Sequence, residues 1–261
     1  MAYRYDEDLE FLREMESKDI DSLVEILTQD KNGKARWTEN LTKHGLYKQH
    51  YPDHQKYLDL ILEEIQTFGG NTFANKVRGQ GVLYKEILRD VADKMKANYN
   101  KNSSVETIET NLLMKVLSDS LEKMSEEERK EIIKSLEPEA MDSLKDFKAQ
   151  TVTIALQALI RMGGFRSYQF LLILANAIAK AIVGKGLSLA TNAALIKATS
   201  IFSGPIGLVI TSAWMTIDIA GPAYRVTIPM VINICCLRQL QKIHHSKQQD
   251  TEENKPTVLQ A

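Results

Sequence analysis

The sequence is poor in the residues that brace small secreted folds. Its two cysteines, Cys235 and Cys236, are neighbours. Adjacent helical side chains diverge by about 100° and rarely bridge, so no disulfide framework exists and a reducing compartment is expected. No alternating run of useful length marks a β-strand. The first residues, "MAYRYDEDLEFLREMES", carry no basic stretch followed by an apolar core, so no secretory signal is expected. The sequence contains no G-x-S-x-G, no H-E-x-x-H and no paired C-x-x-C. An enzyme reading therefore has no residues to name, and no cofactor or metal is expected.

Acidic residues are missing from one half of the chain. Residues 1–150 carry 23 Lys/Arg against 30 Asp/Glu, a net charge of −7, whereas 151–240 carry seven basic residues and one acid, Asp218. The overall charge of −1 gives no case for nucleic acid. The asymmetry points instead to a membrane surface or an acidic partner for the basic half.

What remains reads as helix. Tyr57, Leu58, Ile61, Leu62 and Ile65 form one apolar stripe within 54–67, and Leu83, Tyr84, Ile87, Leu88, Val91 and Met95 another within 82–97. Shorter helices are expected at 7–16 and 19–29 and a longer one at 105–122. Ser125 and Glu128 have the spacing of a capping box. Beyond residue 150, Gly163–Gly164, Gly184–Lys185–Gly186, Gly204–Pro205 and Gly221–Pro222 divide an apolar, small-residue-rich stretch. Helices are expected there near 139–162, 165–183, 187–202, 206–220 and 223–244. The expectation is an all-α protein: an acidic helical domain at 1–138, a hydrophobic helical domain at 139–246 and a polar flexible tail at 247–261.

The stretch "QTFGGNTFANKVRGQGVLYKEIL" at 66–88 invites comparison with a phosphate-binding loop. Its setting after a helix, and Tyr84 where a third glycine belongs, argue for punctuation. Gly69 is expected to end the helix as a left-handed cap, Asn71 to cap a short helix, Gly79 and Gly81 to form the next turn, and Gly81 to admit a close backbone approach. Lys76, Arg78, Gly79 and Gly81 are the residues for the other reading, an anion or partner site.

His44, His50 and His54 lie close in sequence, but Pro52 breaks the helical relation a zinc site would use, and they are read as a solvated loop. His244–His245 are read as sitting at a helix end. Cys235 and Cys236 are read as core residues, and the acids as solvated faces. Asp218 and Arg225 flank Gly221–Pro222 and are expected to pair across that turn.

"FGGNTFANKVRGQGVLYKEILRDV" together with "GPAYRVTIPMVINICCLRQL" resembles the YaaW-like bacterial proteins. That family is linked in classification to the ubiquinol–cytochrome c chaperone family. "YDEDLEFLREMESKDIDSLVEILTQDKNGKAR" resembles the short domain that opens these proteins. The resemblance covers most of the chain and is weakest at 139–200 and the tail. On it, Phe68, Gly69, Gly70, Asn75, Lys76, Arg78, Gly79 and Gly81 match one motif, and Tyr224, Arg225 and Pro229 the other. It brings no catalytic residues.

The expected function is non-enzymatic: a chaperone-like helical interaction protein of the cytoplasm, peripheral at the inner membrane. It would dock a protein partner or an anionic membrane surface through Lys180, Lys185, Lys197 and Arg225. Structural roles are expected for Gly69, Gly70, Asp218, Tyr224 and Pro229. The alternative is a membrane-inserting or pore-forming protein using the hairpin 187–220. The uncharged run Ala198–Ile217 is 20 residues long, enough to span, but Gly204–Pro205 interrupts it.

Overall fold

The computed structural model describes residues 3–30, 33–36, 39–69, 81–136, 144–183 and 224–253. The fold is all-α, with no β-strand among the described residues and one isolated bridge, Gln29 with Ala35. A 3-10 helix, Glu7–Glu14, opens the chain where an α-helix is expected. It is followed by α1 (Ser17–Thr28), α2 (Gly45–His50), α3 (Leu58–Gly69), α4 (Tyr84–Lys94), α5 (Val105–Lys123), α6 (Glu126–Leu136), α7 (Ala149–Met162), α8 (Gly164–Val183) and α9 (Tyr224–Glu253). Short 3-10 turns at Leu41–Lys43 and His54–Tyr57 flank α2.

Local chemistry explains most of the boundaries. Asp6 caps the first helix by accepting from the Asp8 N–H at 3.2 Å. Ser104 accepts from the Thr107 N–H at 3.2 Å to start α5. The expected capping box forms: Ser125 N–H donates to Glu128 at 2.8 Å, and Glu128 N–H donates back to Ser125 Oγ at 3.2 Å. Gly163 and Gly164 separate α7 from α8 at φ of 68° and 70°, a conformation other residues rarely adopt. Gly69 is the last helical residue of α3.

Two boundaries differ from the periodicity. The helix expected from 139 begins at Ala149 instead. Asp146 holds the preceding chain out of the helix by accepting from Lys148 N–H at 3.1 Å and Thr151 Oγ1 at 2.6 Å. At the other end, α9 continues beyond the expected stop near 244 to Glu253. Residues 245–253 contain neither Gly nor Pro and are mostly good helix formers. His244 and His245 therefore lie inside the helix, so the helix-end reading of them is corrected.

The core is organised around α9. Every residue from Val226 to Leu240 is buried. A helix apolar on nearly all sides belongs inside a bundle. It packs most extensively on α8, and also against α1, α3, α4 and the first 3-10 helix. Pro229 lies within this helix and removes one N–H. The unmatched carbonyl belongs to Arg225 on the exposed first turn, where water can take it. Buried side chains from Leu9 to Ile243 join one hydrophobic cluster, which draws on both sides of residue 138.

The N-terminal strip is held by a close approach. Gln66 donates to the Arg4 carbonyl at 2.7 Å and accepts from the Arg4 N–H at 3.1 Å. A Cβ at Gly81 would lie 2.7 Å from Gln66 Cβ and 2.8 Å from its Oε1. Gly81 thus serves close packing. Gly81→Ala should destabilise the protein by about 1–3 kcal/mol through overpacking. Gly45→Ala, with nothing within 4 Å of its Cβ and a helical position, should be neutral or slightly stabilising. Urea denaturation midpoints compare the two.

Candidate functional site

Among the described residues, those singled out from sequence do not gather into one site. Gly70, Lys76, Arg78, Gly79, Lys185, Lys197 and Asp218, together with the hairpin 187–220, lie outside the described residues. Gly81 lies before α4, whereas Tyr224, at the start of α9, has its ring 5.2 Å from Lys94 Nζ at the far end of α4. An eleven-residue helix separates these points by about 16 Å. Arg225 is exposed, Pro229 is buried within α9, and Lys180 lies in the last turn of α8.

The strongest polar constellation is one that periodicity passed over. Arg238 on α9 donates through Nε to Glu109 Oε2 at 2.9 Å and through Nη2 to the Asp8 carbonyl at 2.7 Å. The Tyr84 hydroxyl donates to the other Glu109 oxygen at 2.8 Å. The Tyr84 N–H donates to Asp6 at 2.6 Å, and the Arg238 guanidinium sits 4.3 Å from the Phe11 ring centroid. The first helix, α4, α5 and α9 thus meet at one buried ion pair. Lys242 adds a second link, 2.7 Å from Glu106.

Burial governs the electrostatics here. It pushes the Glu109 carboxyl up, while Arg238 and the Tyr84 hydroxyl pull it down. It also pushes the Tyr84 hydroxyl and both cysteine thiols up, so Tyr84 remains a donor and Cys235 and Cys236 remain thiols. Arg238 works against burial but is held charged by Glu109. Both carboxylate oxygens of Glu109 are already engaged within the protein. The arrangement is built to clamp rather than to accept or deliver a proton.

Two expectations about isolated groups change. His54 is not solvated: it is fully buried, with Nε2 2.6 Å from Asp21 and Nδ1 bonded to the Tyr57 hydroxyl. The acids are not all solvated either, since Glu39, Glu64 and Glu109 are buried. Glu64 accepts from the Asn40 N–H at 3.2 Å. Burial, helped by Glu39 and Glu63, pushes its carboxyl up to about 7. Glu39 satisfies Thr42 through both N–H, at 2.8 Å, and hydroxyl. No group of three or more His, Cys, Asp or Glu able to hold a metal occurs among the described residues. A cleft of about 370 Å³ lies between Glu14–Asp19 and Gln241–Gln248. There Glu14 pairs with His245 at 3.1 Å and accepts from Gln241.

Two outcomes are expected from these groups. Arg238→Ala should destabilise by about 3–5 kcal/mol, because it leaves the buried Glu109 carboxylate without its counter-charge. Replacing both members with apolar residues, as in Glu109→Leu/Arg238→Met, should recover much of that loss, read by chemical denaturation of all three variants. Glu64 is raised in the folded state, so between the unfolded value near 4.5 and about 7 the native protein holds the extra proton. Its contribution to stability therefore falls as pH rises through that window, by about 3 kcal/mol at most. Glu64→Gln should flatten this slope and raise stability at pH 8, measured by denaturation at stepped pH.

Comparison with known proteins gives this architecture a family. A family model described as a domain of unknown function (DUF3944) matches residues 3–37, and one described as Ubiquinol-cytochrome C chaperone matches residues 53–232. A UPF0174 protein of Helicobacter pylori strain J99 is 50% identical over 238 residues, covering 91% of this chain and 93% of its own. A second from the same strain is 42% identical over 205 residues, covering 78% and 98%. The UPF0174 protein YaaW of Escherichia coli K12 is 31% identical over 244 residues, covering 91% and 96%. No solved structure matches. The buried clamp joins the segment matched by the first model, through Asp6, Asp8 and Phe11, to Tyr84 and Glu109 in the segment matched by the second. The chain belongs to the UPF0174 family of YaaW-like proteins, and over residues 53–232 to the ubiquinol–cytochrome C chaperone family.

Proposed function

We propose that the protein is a non-enzymatic, chaperone-like helical interaction protein whose basic second half docks a protein partner or a membrane surface. The observation that carries this reading is the match of residues 53–232 to the chaperone family. The chemistry of the interior agrees with it: the perturbed carboxyl of Glu109 is occupied in holding helices together, and the cysteines are buried and free. The second half also offers an outward apolar face. Ile154 and Met162, two turns apart on α7, are 60% and 68% exposed, and Arg161 and Arg166 stand beside them in sequence. Apolar contact bordered by positive charge suits an acidic partner surface.

No helix among the described residues is long and apolar enough to cross a membrane. Docking through Lys180, Lys185, Lys197 and Arg225 does not require one. Site-specific photocrosslinking in cells tests the proposal, with the photoreactive side chain placed at Met162. One discrete adduct is expected, weakened several-fold in a Lys197→Glu/Arg225→Glu background and at raised salt. Adducts that are absent, or unchanged by charge reversal, would refute docking through the basic half.

A further inference from the structure

The motif-bearing half of the chain draws the eye away from α2, a helix that the rest of the protein leaves out in the open. None of its six residues, Gly45–His50, is buried. Yet its footing is firm. The Tyr47 ring packs 5.4 Å from Tyr57 and 5.2 Å from Tyr51, and Tyr51 lies 5.8 Å from His54. His54 in turn is fixed to Asp21 at 2.6 Å. The aromatic stack holds this short surface helix in place without covering it.

The helix and its flanks carry an unusual combination of side chains. Leu46 and Tyr51 are 41% and 56% exposed, two of the five exposed large hydrophobic residues among the described residues. Lys43, Lys48 and Lys56 around them are exposed, as is His44. The acids between Glu39 and Lys56 are few. Glu39 is buried, and Asp53 is paired with Lys56 at 3.2 Å. Residues 43–56 therefore carry three lysines against one aspartate, inside a half whose net charge is −7. A basic and apolar patch on an otherwise acidic body is a local device rather than a consequence of composition.

We infer that this patch is a docking surface for an anionic lipid bilayer. An exposed aliphatic side chain and an exposed tyrosine together suit the boundary between headgroups and acyl chains, and the lysines suit anionic headgroups. A nucleic acid fits less well. Leu46 offers a phosphate or a base edge nothing, and a long polyanion lying along the chain would meet the acidic body. A planar surface contacting this patch meets little of that body's charge, since exposed charges farther than about 8 Å away are largely screened at physiological salt. The inference goes beyond docking through the basic second half and uses none of its residues.

Vesicle flotation of the full chain tests it. Vesicles of phosphatidylcholine alone are compared with equal parts of phosphatidylcholine and phosphatidylglycerol. The wild-type protein should float with the anionic vesicles, weakly or not at all with the neutral ones, and less as salt rises. Leu46→Ser/Lys48→Glu should bind at least tenfold more weakly, since each lysine contributes roughly fivefold near an anionic surface and its reversal counts twice. Both side chains are exposed, so the melting temperature should be unchanged; Lys48→Glu alone serves as a second variant should the pair lower it. Lys145→Glu, a charge reversal at an exposed lysine outside residues 43–56, should float as wild type does. The inference is overturned if wild type ignores anionic vesicles, if the α2 variants bind undiminished, or if Lys145→Glu weakens binding as much as they do. It is also overturned if wild type binds a stem-loop RNA and not the vesicles. Failure of the second-half docking would appear in the Arg225 and Lys197 crosslinking and leave the α2 result standing.

Discussion

A guanidinium removed from water needs a carboxylate, and Arg238 has Glu109 at 2.9 Å with almost no solvent around either. The cost of burying these two groups constrains everything near them. Glu109 needs its second oxygen satisfied, and the Tyr84 hydroxyl does so. Arg238 needs its remaining donors placed, and the Asp8 carbonyl takes one while Phe11 receives the face of the cation. Tyr84 is oriented at its other end by Asp6. None of these partners can shift far without leaving a buried polar group unmatched, so four elements from opposite ends of the chain are held in register.

That clamp gives the long helix α9 its unusual position. A helix buried over fifteen successive residues, Val226 to Leu240, gains from hydrophobic burial in every direction, but burial alone has no preferred rotation. Arg238 supplies the rotation, and Asn233, bonded to Ser22 at 2.9 Å, repeats the same device one and a half turns earlier. Directional contacts thus complement an apolar surface that would otherwise tolerate slippage. The opening segment is joined to the segment matched by the larger family model by other specific bonds, Tyr84 to Asp6 and Gln66 to Arg4.

For a chaperone-like protein, this division of labour is coherent. The interior spends its charged groups on holding helices together. Among the described residues, apolar side chains left outward near positive charge include Ile154 and Met162 on α7, and Leu46 and Tyr51 by α2. The proposed docking surfaces gain from being mounted on well-held elements, and the clamp and the aromatic footing of α2 contribute to that.

Local chemistry made much of the fold legible. The stripe from Tyr57 to Ile65, the Ser125–Glu128 box and the Gly163–Gly164 break each depend on residues within a turn or two of one another, and the structure follows them. The resemblance carried by the glycine-rich stretch and the Tyr224–Leu240 segment likewise placed the family. The buried charges were not legible. Glu109 reads as one more acid on a helix in an acidic half, and nothing near it in sequence announces Arg238, 129 positions away. His54 beside Pro52 reads as loop, yet Asp21 and Tyr57 enclose it. The exposed face of α2 escaped notice for the opposite reason, since exposure of Leu46 depends on what fails to pack on it. Sequence by itself determined the helical periodicity and several caps and breaks because these are short-range steric and hydrogen-bonding matters. Only the tertiary structure decided which polar groups lose water and which apolar ones keep it, because burial depends on residues that are remote in the chain.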